Sequence, residues 1–365
     1  MQEKIYQVAI GLVPGIGAAT TKTLISYCGS AEQIFKLPKG KLQHIPGIGP
    51  VAADNILNHS TTVLKEAEAI VMTAEKKQTQ MLFYTDHDYP TRLKQIPDAP
   101  TLLYYRGTAP LNQQKIIAIV GTRKATDYGR SVVRKLLEEL QSYKPLIVSG
   151  LAYGIDIQAH KDALELGLST IGVIATGTDV MYPSIHKNTA VKMIDQGGLL
   201  SEYTFGSIAE PMRFPARNRI IAGLSDVTIV VEAAKEGGAL ITADIANGYD
   251  REVMAVPGRV SDPASEGCNN LIRQHKAHTL TSAADLIELM NWDIDPVTST
   301  KQLIMTDLEE DELMIYAVLT DHSQVHIDEL SWKSQLSIQK ISSLLLQMEF
   351  KGIIKALPGK KFSLR

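Results

Sequence analysis

The chain has 365 residues, 44% of them hydrophobic, enough apolar material for two or three domains and at least one large core. With 37 Lys and Arg against 40 Asp and Glu, its formal net charge of -3 excludes the wholesale basic coat of a non-specific duplex binder, so any nucleic-acid site has to be local. No apolar run approaches the roughly 20 residues of a membrane helix, no signal-peptide pattern opens the chain, and neither Cys28 nor Cys268 has Cys or His at metal-ligand spacing; a cytoplasmic protein without membrane insertion, disulfide or structural metal is expected.

Residues 1–80 carry an internal repeat. Val13-Pro14-Gly15-Ile16-Gly17 recurs 32 residues later as Ile45-Pro46-Gly47-Ile48-Gly49, each copy leading into a helical run, the pattern of a helix-hairpin-helix pair in a SAM-like helical domain. Such a turn exposes backbone N–H groups at a helix start, where they and the helix dipole receive a phosphate without reading bases. Turns of this kind also serve merely to join packed helices, and no Lys or Arg directly follows either copy. Both uses stay open. Residues 61–80 read as one polar helix, and 81–108, with Tyr89-Pro90 and Pro97-Asp98-Ala99-Pro100, as an irregular lead-in to a core at 81–292.

In that core Ile116–Val120, Leu146–Val148, Thr170–Ile174, Leu199–Ser201, Val227–Val231 and Val253–Val256 read as strands, mostly separated by helical stretches. Near-continuous apolar strands alternating with helices imply a parallel sheet covered on both faces, a doubly wound, extended Rossmann-like α/β fold. Ligands of such sheets bind at the carboxyl ends of the strands.

Those ends are rich in glycine. Gly121, Gly150, Gly154, Gly177 and Gly237-Gly238 each fall just after a strand; one such loop is merely a tight strand-to-helix turn, but several at one edge converge their N–H groups on an anion surface. The first turn, Gly121-Thr122-Arg123, puts Arg123 where a dinucleotide fingerprint needs glycine, which suits a guanidinium gripping an outside phosphate and does not suit NAD. No Gly-x-x-x-x-Gly-Lys-Ser/Thr loop occurs, so ATP hydrolysis is not supported and no cofactor is expected. Arg213-Phe214-Pro215-Ala216-Arg217-Asn218-Arg219 opens a helix, with Pro215 in its first turn. Cations around an aromatic suit a single strand, the cations following the backbone while Phe214 stacks on a base for about 1–3 kcal/mol. The same cluster also reads as internal salt bridges, Arg219 pairing Glu202 or Glu232. Catalytic patterns are sparse: His160, His186, His275 and His278 occur singly, and Glu202 with Glu232 is the one candidate acid/base pair.

After a linker at 293–304, residues 305–365 read as helices at 309–320, 327–332 and 337–351 and a hairpin at 353–364, a winged helix. Its wing carries Lys355, Lys360, Lys361 and Arg365, while its recognition helix offers only Lys340 and Lys351. Duplex binding and protein docking are both open to it.

Gly-Thr-Arg at 121–123, Ser-Gly-Leu-Ala-Tyr-Gly-Ile-Asp at 149–156, Gly-x-x-x-x-Tyr-Pro at 177–183, Arg-Asn-Arg-Ile-Ile-Ala-Gly-Leu-Ser at 217–225 and Glu-Gly-Gly-Ala-Leu-Ile-Thr-Ala at 236–243 together closely resemble the bacterial DNA-processing protein A (DprA) family, over about residues 81–290. The resemblance implies a non-enzymatic binder of single-stranded DNA that protects incoming strands in natural transformation and loads the RecA recombinase. Carried onto this sequence, it implies a DNA site of Gly121, Arg123, Ser149, Gly150, Lys187, Arg213, Phe214, Arg217, Asn218, Gly237, Gly238 and Thr242, with Arg123 on a phosphate and Phe214 stacking. It also implies a homodimer formed through Asn269, Asn270, Leu271, Ile272 and His278. The alternative is an enzyme like the related nucleotide phosphoribohydrolases, whose Pro-Gly-Gly-x-Gly-Thr-x-x-Glu loop would fall at Glu236–Asp244; the initial Pro, the Gly-Thr pair and the Glu are missing there.

Overall fold

The computed structural model describes residues 2–292, 308–320, 325–351, 353–357 and 360–364, so the expected linker at 293–304 and Arg365 lie outside the described residues. The chain divides into two units, residues 1–286 and 287–365.

The repeat forms the two hairpins it foretells. Gly15 and Gly47 take positive φ, +77° and +81°, which lets Ile16 N–H reach the Val13 carbonyl at 3.1 Å and Ile48 N–H the Ile45 carbonyl at 3.0 Å. Both isoleucines are thereby turned into the core. Helices α1 (Gln2–Leu12), α2 (Ala18–Cys28), α3 (Ala31–Lys36) and α4 (Lys39–Gln43) pack with α5 (Pro50–Lys76). The polar helix expected at 61–80 is only the second half of α5. Asn55, Asn58, His59 and Ser60, weak helix formers, obscure its first half, yet Ala53, Ile56, Val63, Ala67, Val71 and Ala74 form one buried stripe along all of it.

All six expected strands are present within one nine-stranded sheet. They are β3 (Ile116–Val120), β4 (Leu146–Ser149), β5 (Thr170–Val173), β6 (Gly197–Ser201), β7 (Val227–Val230) and β8 (Glu252–Ala255), and the strand order is β1-β2-β6-β5-β4-β3-β7-β8-β9. The seven strands from β6 to β9 (His278–Thr279) run parallel. Residues 81–108 are a correction: they supply β1 (Gln80–Phe83) and β2 (Leu102–Gly107), which pair antiparallel, and β2 lies antiparallel to β6 with Tyr104 opposite Ser201.

The crossovers use α7 (Asp127–Leu140), α8 (Ile155–Glu165) and α9 (Lys187–Gln196), then α10 (Arg213–Leu224) and α11 (Gly238–Gly248), with the short α6 (Thr91–Lys94) beside α10. Ile116, Ala118 and Val120 turn one face of β3 toward Ile220 and Ala222 of α10, and the period of two sends Ile117 and Ile119 to the other face. From β3 the chain steps outward through β4 and β5 to β6, then returns to β7 on the opposite side of β3. That reversal is the topological switch point, and the loops after β3, β4 and β7 meet there. The unit closes with α12 (Glu266–Arg273) and the start of α13 (Ala283–Leu289).

The second unit has helices α14 (Glu310–Thr320), α15 (Ile327–Ser334) and α16 (Ile338–Phe350) and a three-stranded antiparallel sheet of β10 (Val325–His326), β12 (Lys361–Leu364) and β11 (Ile354–Leu357), in that order. This is a winged-helix arrangement.

Candidate nucleic-acid interface

Arg123 stands on a turn fixed from two directions. Beneath it, the Glu232 carbonyl accepts Thr122 N–H at 2.7 Å, and the buried Glu232 carboxylate accepts Thr126 N–H at 3.0 Å and the Thr126 hydroxyl. Thr126 in turn caps α7 by accepting Gly129 N–H at 3.2 Å. Beside it, Gly154 has φ +77°, and a Cβ there would lie 2.1 Å from the Thr122 carbonyl oxygen, so only glycine lets the loop after β4 press against this turn. Arg123 itself is exposed. Its guanidinium carbon lies 5.9 Å from the centre of the Phe214 ring, and it makes no ion pair among the described residues.

Lys124 and Lys187 are likewise exposed, Lys187 at the first position of α9 in the loop system after β5. Phe214 is half-buried at the start of α10, its ring 5.6 Å from that of Tyr182. Gly237 and Gly238 are exposed at the start of α11. Gly121 is half-buried against Ile155. These positions gather at one edge of the sheet, as its topology requires.

Four expected contacts turn inward instead. Arg217 is 4% exposed; its guanidinium donates to the Gly150 carbonyl at 2.6 Å and to the Val173 carbonyl, tying the loop after β4 to the end of β5. Asp156, buried beside it, accepts Gly150 N–H at 3.1 Å. Burial raises the Asp156 carboxyl and lowers Arg217 to about 10, each opposed by the other's charge, so Arg217 stays protonated. Gly150 is thus buried between the two, and the Ser149 hydroxyl donates to the Ile119 carbonyl at 2.6 Å inside the sheet. Thr242 is buried and its hydroxyl bonds the Gly238 carbonyl one turn back at 3.0 Å. These residues build the floor under the surface rather than the surface.

Arg213 and Asn218 are half-exposed but engaged. Arg213 pairs with Glu210 at 2.8 Å and lies over the Tyr203 ring, and Asn218 bridges the Arg217 Nε at 3.2 Å to the Gly238 carbonyl at 3.3 Å. Arg219 takes the internal alternative, pairing with Glu202. Glu202 and Glu232 therefore do not form an acid/base pair: they end β6 and β7, four strand spacings or about 19 Å apart. His160 is buried and bonded to the Thr170 hydroxyl at 2.7 Å, and burial pulls it down to about 3, leaving it neutral. Among the described residues no group of three or more His, Cys, Asp or Glu is placed to hold a metal, and no helix is long and apolar enough to cross a membrane.

Of the expected dimer residues, Asn269 is half-buried and clasps Gly258 N–H and C=O at 3.2 and 3.1 Å, and Leu271 is in the core. Asn270 accepts from Arg273 at 3.1 Å. Ile272 is partly buried, and His278 is exposed on β9, the last strand of the sheet. In the second unit Lys340 pairs with Asp311 at 2.5 Å and Lys351 with the buried Glu312 at 2.8 Å, which neutralises both cations of the recognition helix.

Tyr153 and Tyr182 escaped the sequence reading as site residues although both lie inside quoted motifs, as did Glu232 as the anchor of the Arg123 turn.

The chain matches the family model of DNA recombination-mediator protein A over residues 80–291 and that of the DprA winged helix domain over residues 303–360. It is 31% identical to a protein Smf of Synechocystis sp., covering 100% of this chain and 99% of that one. With the DNA processing protein DprA of Streptococcus pneumoniae it is 43% identical over 202 residues, 55% of this chain and 71% of the relative. The S. pneumoniae DprA crystal structure superimposes with a TM-score of 0.67 at 34% identity, covering 79% of this chain and 97% of that one. DNA processing protein A of Helicobacter pylori, described for its single-stranded DNA binding mode, matches with a TM-score of 0.54 at 29% identity over 59% of this chain and 97% of the other. With its core matched across more than half its length and a Smf protein aligned along all of it, this chain belongs to the DNA-processing protein A (DprA/Smf) family.

Proposed function

We propose that this chain binds single-stranded DNA along the carboxyl edge of its sheet and acts without catalysis, as a cytoplasmic recombination mediator that protects the strand and delivers it to the RecA recombinase. The observation that carries this is Arg123: an exposed, unpaired guanidinium on an immobilised turn, beside an aromatic ring. A turn fixed in this way presents the cation on an already ordered backbone, so less freedom is lost on meeting a phosphate, and the ring beside it takes a base. A non-catalytic role is supported by Glu202 and Glu232, each bonded within the fold and too far apart to act on one bond. In this reading residues 81–292 bind DNA and 305–365 dock a protein partner, their recognition-helix cations being paired internally. Residues 1–80 add an auxiliary phosphate contact at the exposed, side-chain-uncapped starts of α2 and α5. A homodimer through the β9 end, with His278 and Ile272 at the contact, sets two such edges on one long strand and raises the effective concentration for the second.

Gel shifts with oligo-dT and with duplex of the same length, using the full chain and a chain ending at residue 300, test this. The single strand shifts at lower protein concentration than the duplex in both. Loss of single-strand binding on removal of 301–365 would move the site off the sheet.

A further inference from the structure

Tyr182 and Tyr153 are large rings left 50% and 48% exposed, and neither hydroxyl has a hydrogen-bond partner among the described residues. Both stand at the Arg123 turn. Tyr182 adjoins Phe214, with centroids 5.6 Å apart and planes tilted by 50°, and Phe214 adjoins the Arg123 guanidinium. Tyr153 precedes Gly154, whose backbone presses on Thr122 and Arg123, and its ring meets the edge of His186 at 5.1 Å. His186 belongs to the same loop as Tyr182 and is fixed by the Leu151 carbonyl at 2.9 Å. The Phe214 ring thus lies against the unpaired cation, and two further rings, each about half open to solvent, stand on the neighbouring loops.

We infer that Tyr182 and Tyr153 are base-stacking platforms, and that they are what makes this site prefer an unpaired strand to a duplex. The inference rests on the single-strand reading above and deepens it. Stacked planes lie about 3.4 Å apart, so clamping a base between two rings requires a gap of about twice that. At 5.6 Å and tilted, Tyr182 and Phe214 cannot sandwich a base; each takes a different base on its own open face, with the connecting phosphate at Arg123. Such platforms tolerate any sequence, because every base has a π-face. A duplex hides those faces within its own stack and would have to unstack to offer them. Phosphate contacts alone give no such discrimination, since both forms carry phosphates.

The test compares a labelled oligo-dT with a chain of abasic sites of equal length, by fluorescence anisotropy, on the native protein and on Tyr182→Ala, Tyr153→Ala and the two Tyr→Phe variants. Each Ala variant loses about tenfold affinity for oligo-dT, while the Phe variants stay within about twofold because the ring does the binding. The abasic chain binds all five proteins alike, and the dependence on salt is unchanged because no charge is removed. Ala variants that bind oligo-dT as well as the native chain overturn the inference, as does an equal loss on the abasic chain, which would mark a structural role. A native protein that binds neither ligand overturns instead the single-strand reading on which the inference stands.

Discussion

Replacing Arg217 by Met separates a residue that touches DNA from one that holds the site together. The native guanidinium donates to two carbonyls, of Gly150 and Val173, and faces the buried Asp156 carboxylate. Met fills a similar volume but leaves both carbonyls without a donor and Asp156 without its countercharge. Removing one member of a buried charged pair costs about 3–5 kcal/mol, a large share of a total stability of about 5–15 kcal/mol. With a urea dependence of about 3 kcal/mol per molar, the midpoint falls by roughly 1–1.7 M. The deficit also depends on pH. Burial already raises the Asp156 carboxyl, and Arg217 opposes that rise, so losing the cation lifts it further. A carboxyl raised above its unfolded value loses stability as pH climbs through the folded value, so the deficit is largest at neutral pH and shrinks as pH falls through that value and Asp156 takes up its proton in the folded variant. Urea unfolding followed by circular dichroism at neutral pH and at pH about 5 reads both effects. A variant with the native midpoint at both pH values and lost affinity for oligo-dT refutes this account and returns Arg217 to the role of a phosphate contact.

Arg123→Ala has the opposite signature: melting is nearly unchanged because Arg123 makes no ion pair among the described residues and only a marginal contact with the Phe214 ring, while loss of a charge-assisted phosphate contact of about 1.5–3 kcal/mol lowers oligo-dT affinity roughly 10- to 150-fold. The slope of log affinity against log salt becomes shallower by about 0.7, and an anisotropy titration with affinity and slope both unchanged takes Arg123 out of the site. Gly154→Ala forces a Cβ to within 2.1 Å of the Thr122 carbonyl oxygen at a φ of +77°, so the Arg123 turn shifts and both melting temperature and affinity drop; native affinity in this variant would mean that the packing of the two loops does not set the site.

The strands buried on both faces were legible because each is a continuous apolar run between glycine turns, a pattern no solvent-facing element shows. β1 and β2 were not. Prolines at 90, 97 and 100 separate them, and β2 joins the sheet through β6, nearly a hundred residues further on. At the site, Arg123 was legible from the residue type it displaces in a known turn. The burial of Arg217 is not evident from its motif although the helical period carries the signal: Arg217, Ile220, Ile221 and Leu224 are spaced as one helical stripe and all are buried. Thr242 repeats the lesson, lying on the buried stripe of Ala239, Ala243 and Ala246. A motif gives the residues, while the helical period decides which of them face outward.

That distinction also explains how an acidic chain presents a cationic edge. Three acids at or near the strand ends, Asp156, Glu202 and Glu232, would repel a DNA backbone if they pointed into solvent. Each is turned inward instead: Asp156 faces Arg217, Glu202 pairs with Arg219, and Glu232 accepts the N–H and hydroxyl of Thr126. Among the described residues, Arg123, Lys124, Lys187 and Lys235 stand exposed at the same edge without an ion pair. Net charge therefore says little about this surface, because these three carboxylates are engaged by the bonds that shape it. Glu232 makes the point most directly, since the carboxylate that is kept away from the strand is the one that holds Arg123 toward it.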